Sequence, residues 1–119
     1  MSEAELKEIG IEIAELLKRK DFDSAGSKYD YALRMDRENK AAIRSDFERA
    51  ITECVGNINE SSFIVSSKDF EENSEGFKSL IECDFSLENS SGILIEIILH
   101  SNGKVYIEDI SSYRVSLNA

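Results

Sequence analysis

The spacing of apolar and polar residues changes near the middle of the chain. In the first half, apolar residues recur every three or four positions, which is the period of a helix buried on one side. After Gly56 they alternate with polar residues instead, which is the period of a half-buried strand. Helices followed by antiparallel strands are typical of an α+β domain whose helices cover one face of a sheet.

Three helices are predicted in the first half of the chain. They cover residues 3–19, a short segment after residue 21, and residues 37–55, with residues 31–39 as an ambiguous connection into the third. The first helix begins with Ser2 and Glu5 at the spacing of a capping box. Asp21 is a suitable N-cap residue for the second helix, and Gly56 is predicted to end the third.

Four or five strands are predicted in the second half. They are a short strand at 63–65, a strand over 77–87, the two strands of a hairpin within 93–110, and an edge strand at 113–117. The hairpin is indicated by Asn102-Gly103, since a two-residue turn there places Ser101 opposite Lys104. The sequence therefore predicts a single α+β domain over residues 1–119, with N-terminal helices on one face of an antiparallel meander of four to five strands.

One face of this sheet is predicted to be the core. Its apolar residues come from the strand at 77–87 and from the hairpin, and they are Phe77, Ile81, Cys83, Phe85, Leu87, Ile93, Ile95, Ile97, Leu99, Tyr106 and Ile110. Glu108 interrupts this set, so the sequence predicts one acid that points toward the helices.

The opposite face is predicted to carry a row of three acids. Pairing Leu87 with Ile93 keeps both apolar sets on one side, and it places Asp84 opposite Glu96, which lies opposite Asp109. Like charges directly opposed on a sheet are destabilising. The next two rows are predicted to be Glu82, Ile98 and Ile107, then Leu80, His100 and Val105.

A face that mixes acids with large apolar residues is typical of an interaction site. The repulsion within the acidic row would be relieved by a basic partner, which explains why a small domain tolerates it. Two alternatives stay open: a register shifted by two residues, or a terminal segment that covers this face as a second small core. A second acidic surface is predicted in the loop 68–76, with Asp69, Glu71, Glu72 and Glu75.

The composition is strongly acidic. The 119 residues include 24 Asp and Glu against 14 Lys and Arg, for a net charge of −10. This charge repels nucleic acid and anionic membranes, and it indicates either solubility alone or a basic partner. No apolar run approaches the roughly 18 residues needed to span a bilayer. The acidic N-terminus lacks the pattern of a signal peptide, so we expect a cytoplasmic protein.

Residues that would carry catalysis are sparse. The single histidine, His100, has no plausible nucleophile beside it, and no phosphate-binding or zinc motif is present in the sequence. Asp84, Glu96 and Asp109 could supply oxygen ligands to Mg²⁺, but so negative a surface would repel its usual phosphate substrates. Cys54 and Cys83 are predicted to be buried thiols. We therefore expect no enzyme, no cofactor and no metal.

Three segments of the chain carry a family resemblance. The helical AELLKRKDFDSA, the helix end ITECVG and the closing KVYIEDISSY resemble the cystatin-like and NTF2-like α+β folds over most of the chain, on short motifs. The I-x-D-I ending of acidic strands in small bacterial members is represented by Ile107, Glu108, Asp109 and Ile110. Small acidic domains of this kind resemble immunity proteins of polymorphic toxin systems, including contact-dependent growth inhibition.

This resemblance implies a protein partner and a mechanism. Immunity proteins neutralise the toxin domain at the C-terminus of a large delivered effector, frequently a basic nuclease. We expect carboxylates to steer and block its active site, with apolar side chains as anchors. The candidate contacts on the open face are Glu82, Asp84, Glu96 and Asp109 for charge, and Ile98, Ile107 and Tyr106 or Tyr113 for apolar contact.

Two other functions remain open at this stage. An NTF2-like pocket protein, either a small-molecule binder or an isomerase, would need ionisable side chains inside the core, and only Glu108 is predicted there. A homodimer could pair its open sheet faces, but the carboxylates of one copy would then confront those of the other.

Overall fold

The computed structural model describes residues 1–115 and shows an α+β fold built on a five-stranded mixed sheet. The helices are α1 (Glu3–Lys18), α2 (Phe22–Lys28) and α3 (Asn39–Thr52), with a 3₁₀ turn at Ile58–Glu60. The strands are β1 (Asp30–Tyr31), β2 (Phe63–Asp69), β3 (Phe77–Ser86), β4 (Ser91–His100) and β5 (Val105–Arg114). Their order is β1-β5-β4-β3-β2. The predicted α+β class is confirmed.

A purely antiparallel meander is wrong, because the edge strand β1 runs parallel to β5. Asp30 pairs with Tyr106 and Tyr31 with Ile107, and the Ala32 N–H donates to the Ile107 carbonyl over 2.8 Å. The sequence showed only a connection here, since two residues are too few to display a period. The edge strand predicted at 113–117 is not separate: residues 113 and 114 end β5, while 116 and 117 lie outside the described residues.

The helix beginnings follow their capping residues. Ser2 and Glu5 form the predicted capping box, and the Asp21 side chain accepts the Ser24 N–H at the start of α2. The predicted bounds of the third helix are wrong at both ends, since α3 begins at Asn39 and ends at Thr52.

The chain leaves α3 before Gly56 because it makes contacts with the turn between β3 and β4. The Glu88 N–H donates to the Val55 carbonyl over 2.8 Å, and the Val55 N–H donates to the Ser91 hydroxyl over 3.2 Å. Gly56 therefore lies in the connection, with a φ of 117°, rather than at the helix end.

The hairpin between β4 and β5 differs from its predicted register in two ways that cancel. The turn has three residues rather than two, with the His100 N–H donating to the Lys104 carbonyl and Gly103 at a φ of 88°. A β-bulge opposite Glu96 then gives β5 one extra residue. Glu96 consequently lies opposite Asp109, as predicted.

The hairpin between β3 and β4 is shifted by two residues from its predicted register. Phe85, rather than Leu87, pairs with Ile93. Asn89 and Ser90 both have positive φ and are followed by the Ser91 N–H donating to the Glu88 carbonyl, as in a type I′ turn. A shift of two keeps the side chains of residues 80–86 on their predicted faces but changes their partners.

Helices α1 and α3 contact the same inner face of the sheet. Phe47 of α3 packs edge-on against Phe85 of β3, with ring centroids 6.3 Å apart, and Phe22 packs on Phe47 in turn. Gly10 lets α1 approach β3 closely, since its carbonyl accepts a hydrogen bond from the Cys83 thiol over 3.2 Å.

We expect Gly10→Ala to destabilise the protein even though alanine favours helices. A Cβ at Gly10 would lie 2.5 Å from Val65 Cγ1 and 2.8 Å from Ile81 Cγ2. Overpacking of this kind costs about 1–3 kcal/mol, which exceeds the roughly 1 kcal/mol gained in helix propensity. Chemical denaturation would measure the loss. Glu8→Ala on the exposed side of α1 is the control, and an equal or greater stability of Gly10→Ala would contradict the close contact.

Candidate partner-binding face

The face of the sheet opposite the helices, called the open face below, carries a row of opposed acids. Glu82 pairs with Glu96, and Glu96 pairs with Asp109. The bulge places Glu108 beside them, and its negative charge acts on Glu96. We call these four residues the acidic row. The predicted pairing of Glu96 with Asp109 is confirmed, but Asp84 as the third member of the row is wrong, because Glu82 lies opposite Glu96 instead.

The acidic row has no basic partner within residues 1–115. Its four side chains are half-buried, and none of them forms a salt bridge there. Burial raises the pKa of the Glu96 carboxyl, and the charges of the other three residues raise it further. The positive charge of Lys68 acts to lower this pKa, but its effect is smaller than the combined effect of burial and the three acids. The row therefore carries repulsion that the described part of the chain does not neutralise.

An apolar strip lies directly beside the acidic row. Leu80, Ile98 and Tyr106 form the neighbouring row across β3, β4 and β5. Ile98 is only 4% exposed although it lies on the open face. Phe77 lies near Tyr106, because both residues line the same surface depression. Its ring centroid lies 6.4 Å from that of His100 and 6.0 Å from that of Phe70. We call Phe77, Leu80, Ile98 and Tyr106 the apolar strip.

Five predicted positions on the two faces are wrong, and they are Phe77, Val105, Tyr106, Ile107 and Glu108. Tyr106 lies on the open face rather than in the core, and Val105 packs against the core rather than on the open face. Ile107 is fully buried in the core rather than on the open face, and Glu108 lies on the open face rather than in the core. The errors in β5 follow from the three-residue turn, which shifts residues 105–107 by one position relative to β4. The bulge at Glu108 then restores the predicted side from Asp109 onward. An irregularity between Phe77 and Ser79 likewise places Phe77 beside His100 instead of in the core.

Asp84 lies one row away from the acidic row. It pairs with Leu94, and its carboxylate accepts a hydrogen bond of 2.6 Å from the Tyr113 hydroxyl. The Tyr113 ring lies over Gly92, where any side chain would collide with it. Burial raises the pKa of Tyr113, and the Asp84 charge adds to this. Asp84 is therefore already partnered within the chain, unlike the acidic row.

The predicted loop 68–76 is a separate acidic surface. Glu71, Glu72 and Glu75 are exposed, whereas Asp69 accepts a hydrogen bond of 2.7 Å from the Ser79 hydroxyl. Two side chains, those of Asn73 and His100, hold the loop by hydrogen bonds to backbone atoms. Asn73 bonds the backbone of residues 71 and 77, and a ring nitrogen of His100 lies 2.9 Å from the Glu75 carbonyl. His100, the single histidine of the sequence, therefore helps to hold the 68–76 loop in position.

A notch of about 450 Å³ opens where the apolar strip meets the acidic row. Its lining residues are Asp30, Tyr31, Ala32, Phe77, Lys104, Tyr106 and Glu108. Lys104 is paired with Asp30 over 2.6 Å at its rim. The sequence contains one signal of the bulge that brings Glu108 to this notch. Ile107 and Ile110 are three residues apart, and a regular strand cannot bury both on one side.

One wall of the notch is fixed by the buried Asp46 carboxylate, which pairs with the partly exposed Arg37. The Tyr31 hydroxyl donates to Asp46 over 2.5 Å, and Arg37 donates to both oxygens of the same carboxylate. Burial acts to raise the pKa of Asp46, but the bonds from Arg37 and Tyr31, with Arg49 nearby, outweigh it and hold this pKa below its usual range. These contacts anchor β1 to α3 and so fix the edge of the sheet.

Comparison with known proteins adds no assignment, since no family model, curated protein or solved structure matches this chain. Within residues 1–115, no three His, Cys, Asp or Glu side chains are placed to hold a metal ion. None of the helices in that range is long and apolar enough to cross a membrane. The case for a function therefore depends on the geometry of the open face.

We expect Glu96→Gln to stabilise the isolated protein at neutral pH by about 0.5–1 kcal/mol, because it removes a like charge opposite two others. The raised pKa means that the folded protein binds this proton more tightly than the unfolded chain does. The penalty is therefore absent below the unfolded pKa, about 4.3, and complete above the folded pKa. Urea denaturation from pH 4 to pH 7.5 would show the gain growing with pH.

Glu12→Gln is the matched control for this measurement. Glu12 accepts hydrogen bonds from Lys28 and Tyr29, and the Lys28 bond lowers its pKa despite some burial. Its charge stabilises the fold above the unfolded pKa, so its removal should destabilise the protein at neutral pH by up to about 1 kcal/mol. Destabilisation by both variants would contradict the repulsion assigned to the acidic row.

Proposed function

We propose that this chain is an immunity protein that binds a basic toxin domain through its open face and blocks the toxin's active site. One observation carries the proposal: four half-buried carboxylates lie side by side on the open face and form no salt bridge within residues 1–115. Such an arrangement disfavours the isolated protein and favours a complex with a cationic surface.

The electrostatics support a fast and specific encounter. Two unit charges at 4 Å interact by about 1 kcal/mol in water and about 4 kcal/mol near a protein surface. A docked lysine or arginine would therefore replace several repulsive contacts by attractive ones. A net charge of −10 also steers a basic partner from a distance, which raises the association rate at low salt.

The apolar strip supports a stable complex after the encounter. Charged residues at the rim of an interface mainly affect association rate, whereas desolvated aromatic and aliphatic anchors supply most of the affinity. Phe77 and Tyr106, the partly exposed members of the apolar strip, lie on the same face as the acidic row, so one partner surface can contact both. In this proposal Tyr106 keeps its predicted contact role, whereas Ile98 and Ile107 are too deeply buried to contact a partner.

The class of protein is inferred from the resemblance stated above and from the order of elements. Two helices, a short strand, a third helix and four antiparallel strands are compatible with a cystatin-like or NTF2-like fold, which we infer as the finer description. A nuclease toxin is the partner that fits an acidic, phosphate-like surface. The protein would act in the cytoplasm, where a delivered nuclease meets its substrate.

The open face argues against the two other functions. The pocket interpretation depended on Glu108 pointing into the core, and Glu108 lies on the open face instead. A homodimer that stacks open faces would bring two acidic rows together across its axis, which adds repulsion. We therefore propose neither.

We expect Glu96→Lys with Asp109→Lys to leave the protein folded but to slow its association with the toxin. The partner would be sought as the C-terminal domain encoded by a large effector gene next to this one. Surface plasmon resonance at low salt should show an association rate about tenfold slower, with a weaker salt dependence. In cells that express the toxin domain, the variant should protect growth less well.

The matched control is Glu8→Lys with Glu15→Lys, which makes the same change in net charge on the exposed side of α1. It should leave the association rate nearly unchanged. If both double variants slow association equally, the acidic row acts only through the net charge of the protein and is not the contact site. A loss seen only with Glu71, Glu72 and Glu75 changed to lysine would place the contact on the 68–76 loop instead.

A further inference from the structure

The notch combines two aromatic rings with a carboxylate that has no salt-bridge or hydrogen-bond partner in the described part of the chain. Phe77 and Tyr106 both line it, and Glu108 stands at the border with the acidic row. Among residues 1–115, Glu108 forms neither a salt bridge nor a side-chain hydrogen bond. Tyr106 also donates no side-chain hydrogen bond there. Both polar groups are therefore available to a ligand.

The charges of the notch favour a cation. Lys104 is the one base in its lining, and its ammonium lies 2.6 Å from the Asp30 carboxylate, which neutralises it. Asp30 also accepts a hydrogen bond of 3.0 Å from Asn39, so it is held in this position. Glu108 then leaves the notch with one uncompensated negative charge, close to the other acids of the row. An anionic ligand would meet repulsion here.

The aromatic lining favours a flat cation with an apolar stem. A guanidinium is planar, weakly hydrated and able to stack on aromatic rings, whereas an ammonium is a compact and strongly hydrated charge. Cations over aromatic rings gain about 0.5–1 kcal/mol at exposed sites and more when they are desolvated. The methylene groups of arginine can also cover apolar surface, which the rings of Phe77 and Tyr106 provide in the lining of the notch.

We propose that the notch receives one arginine side chain of the protein partner, with its guanidinium against Tyr106 and Phe77 and paired with Glu108. This inference rests on the proposed function, and it names the notch as the central contact between the two proteins. The remaining acids of the row contact other basic groups of the partner, while the notch selects arginine at one position.

The notch is formed in the free protein, so binding requires little rearrangement. The Ala32 N–H bonds to the Ile107 carbonyl, and Tyr31 is tied to Asp46, which holds one wall against β5. On the other side, Asn73 fixes the backbone of Phe77 with two hydrogen bonds of 2.8 and 3.0 Å. A preformed site avoids the free-energy cost of ordering side chains and loops on binding.

The test uses three blocked pentapeptides, Gly-Gly-X-Gly-Gly, in which X is arginine, lysine or citrulline. Citrulline has nearly the shape of arginine but carries no charge. NMR titration of the labelled protein would follow the amide signals of residues 106–108 and the ring signals of Tyr106. We expect saturable shifts with arginine, about threefold weaker binding of lysine, and at least tenfold weaker binding of citrulline.

Four variants identify the groups responsible. Tyr106→Leu should weaken arginine binding about threefold or more, and Tyr106→Phe should preserve it because the ring remains. Glu108→Gln should weaken it about fivefold. Glu8→Gln removes one charge on α1 and should leave binding unchanged. Circular dichroism would establish that each variant is folded, and Glu108→Gln keeps the test valid if leucine disturbs the strand.

The outcomes separate this inference from the proposed function. If Glu82→Gln and Glu96→Gln weaken arginine binding but Tyr106→Leu and Glu108→Gln do not, the acidic row attracts cations and the notch is not the anchor. If arginine and lysine bind equally and Tyr106→Leu has no effect, the proposal that the notch binds arginine would also be wrong. If no peptide shifts any residue of the open face, both the notch and the cation-binding face are wrong.

Discussion

The structure depends on the burial of two isoleucines that are three residues apart in one strand. A regular strand turns successive side chains to opposite faces, so Ile107 and Ile110 could not both reach the core. Burying an isoleucine is worth about 1.5–3 kcal/mol, whereas one opposed pair of like charges costs about 0.2–1 kcal/mol. The bulge that buries both isoleucines is therefore favoured, even though it places Glu108 next to three other acids.

The open face follows from this constraint. Hydrophobic burial on the inner side fixes the strand register, and the register decides which acids meet on the outer side. The cost of their repulsion is small compared with the core, so the fold tolerates it although the row forms no salt bridge within residues 1–115. That surplus of negative charge, beside the apolar strip, is the physical basis of the proposed toxin binding and of the arginine site in the notch.

The sequence predicted features that depend on neighbouring residues and missed those that depend on distant ones. Capping residues located the starts of α1 and α2, and alternation identified β3 and β4 with their inner residues. The length of a turn, the two-residue strand β1 and the bulges leave little local signal, because tertiary contacts select them. The pair Glu96 and Asp109 was predicted correctly because a longer turn and a bulge compensate for each other.

Strand β4 divides its residues between two tasks in strict alternation. Ile93, Ile95 and Ile97 face the helices and are fully buried, while Leu94 and Glu96 between them face outward and are half-buried. Changes at the outward positions leave the core untouched, so the recognition surface can diversify over evolution while the scaffold stays the same. A library randomised at 82, 94, 96 and 108 could accordingly yield binders of new specificity on an unaltered fold.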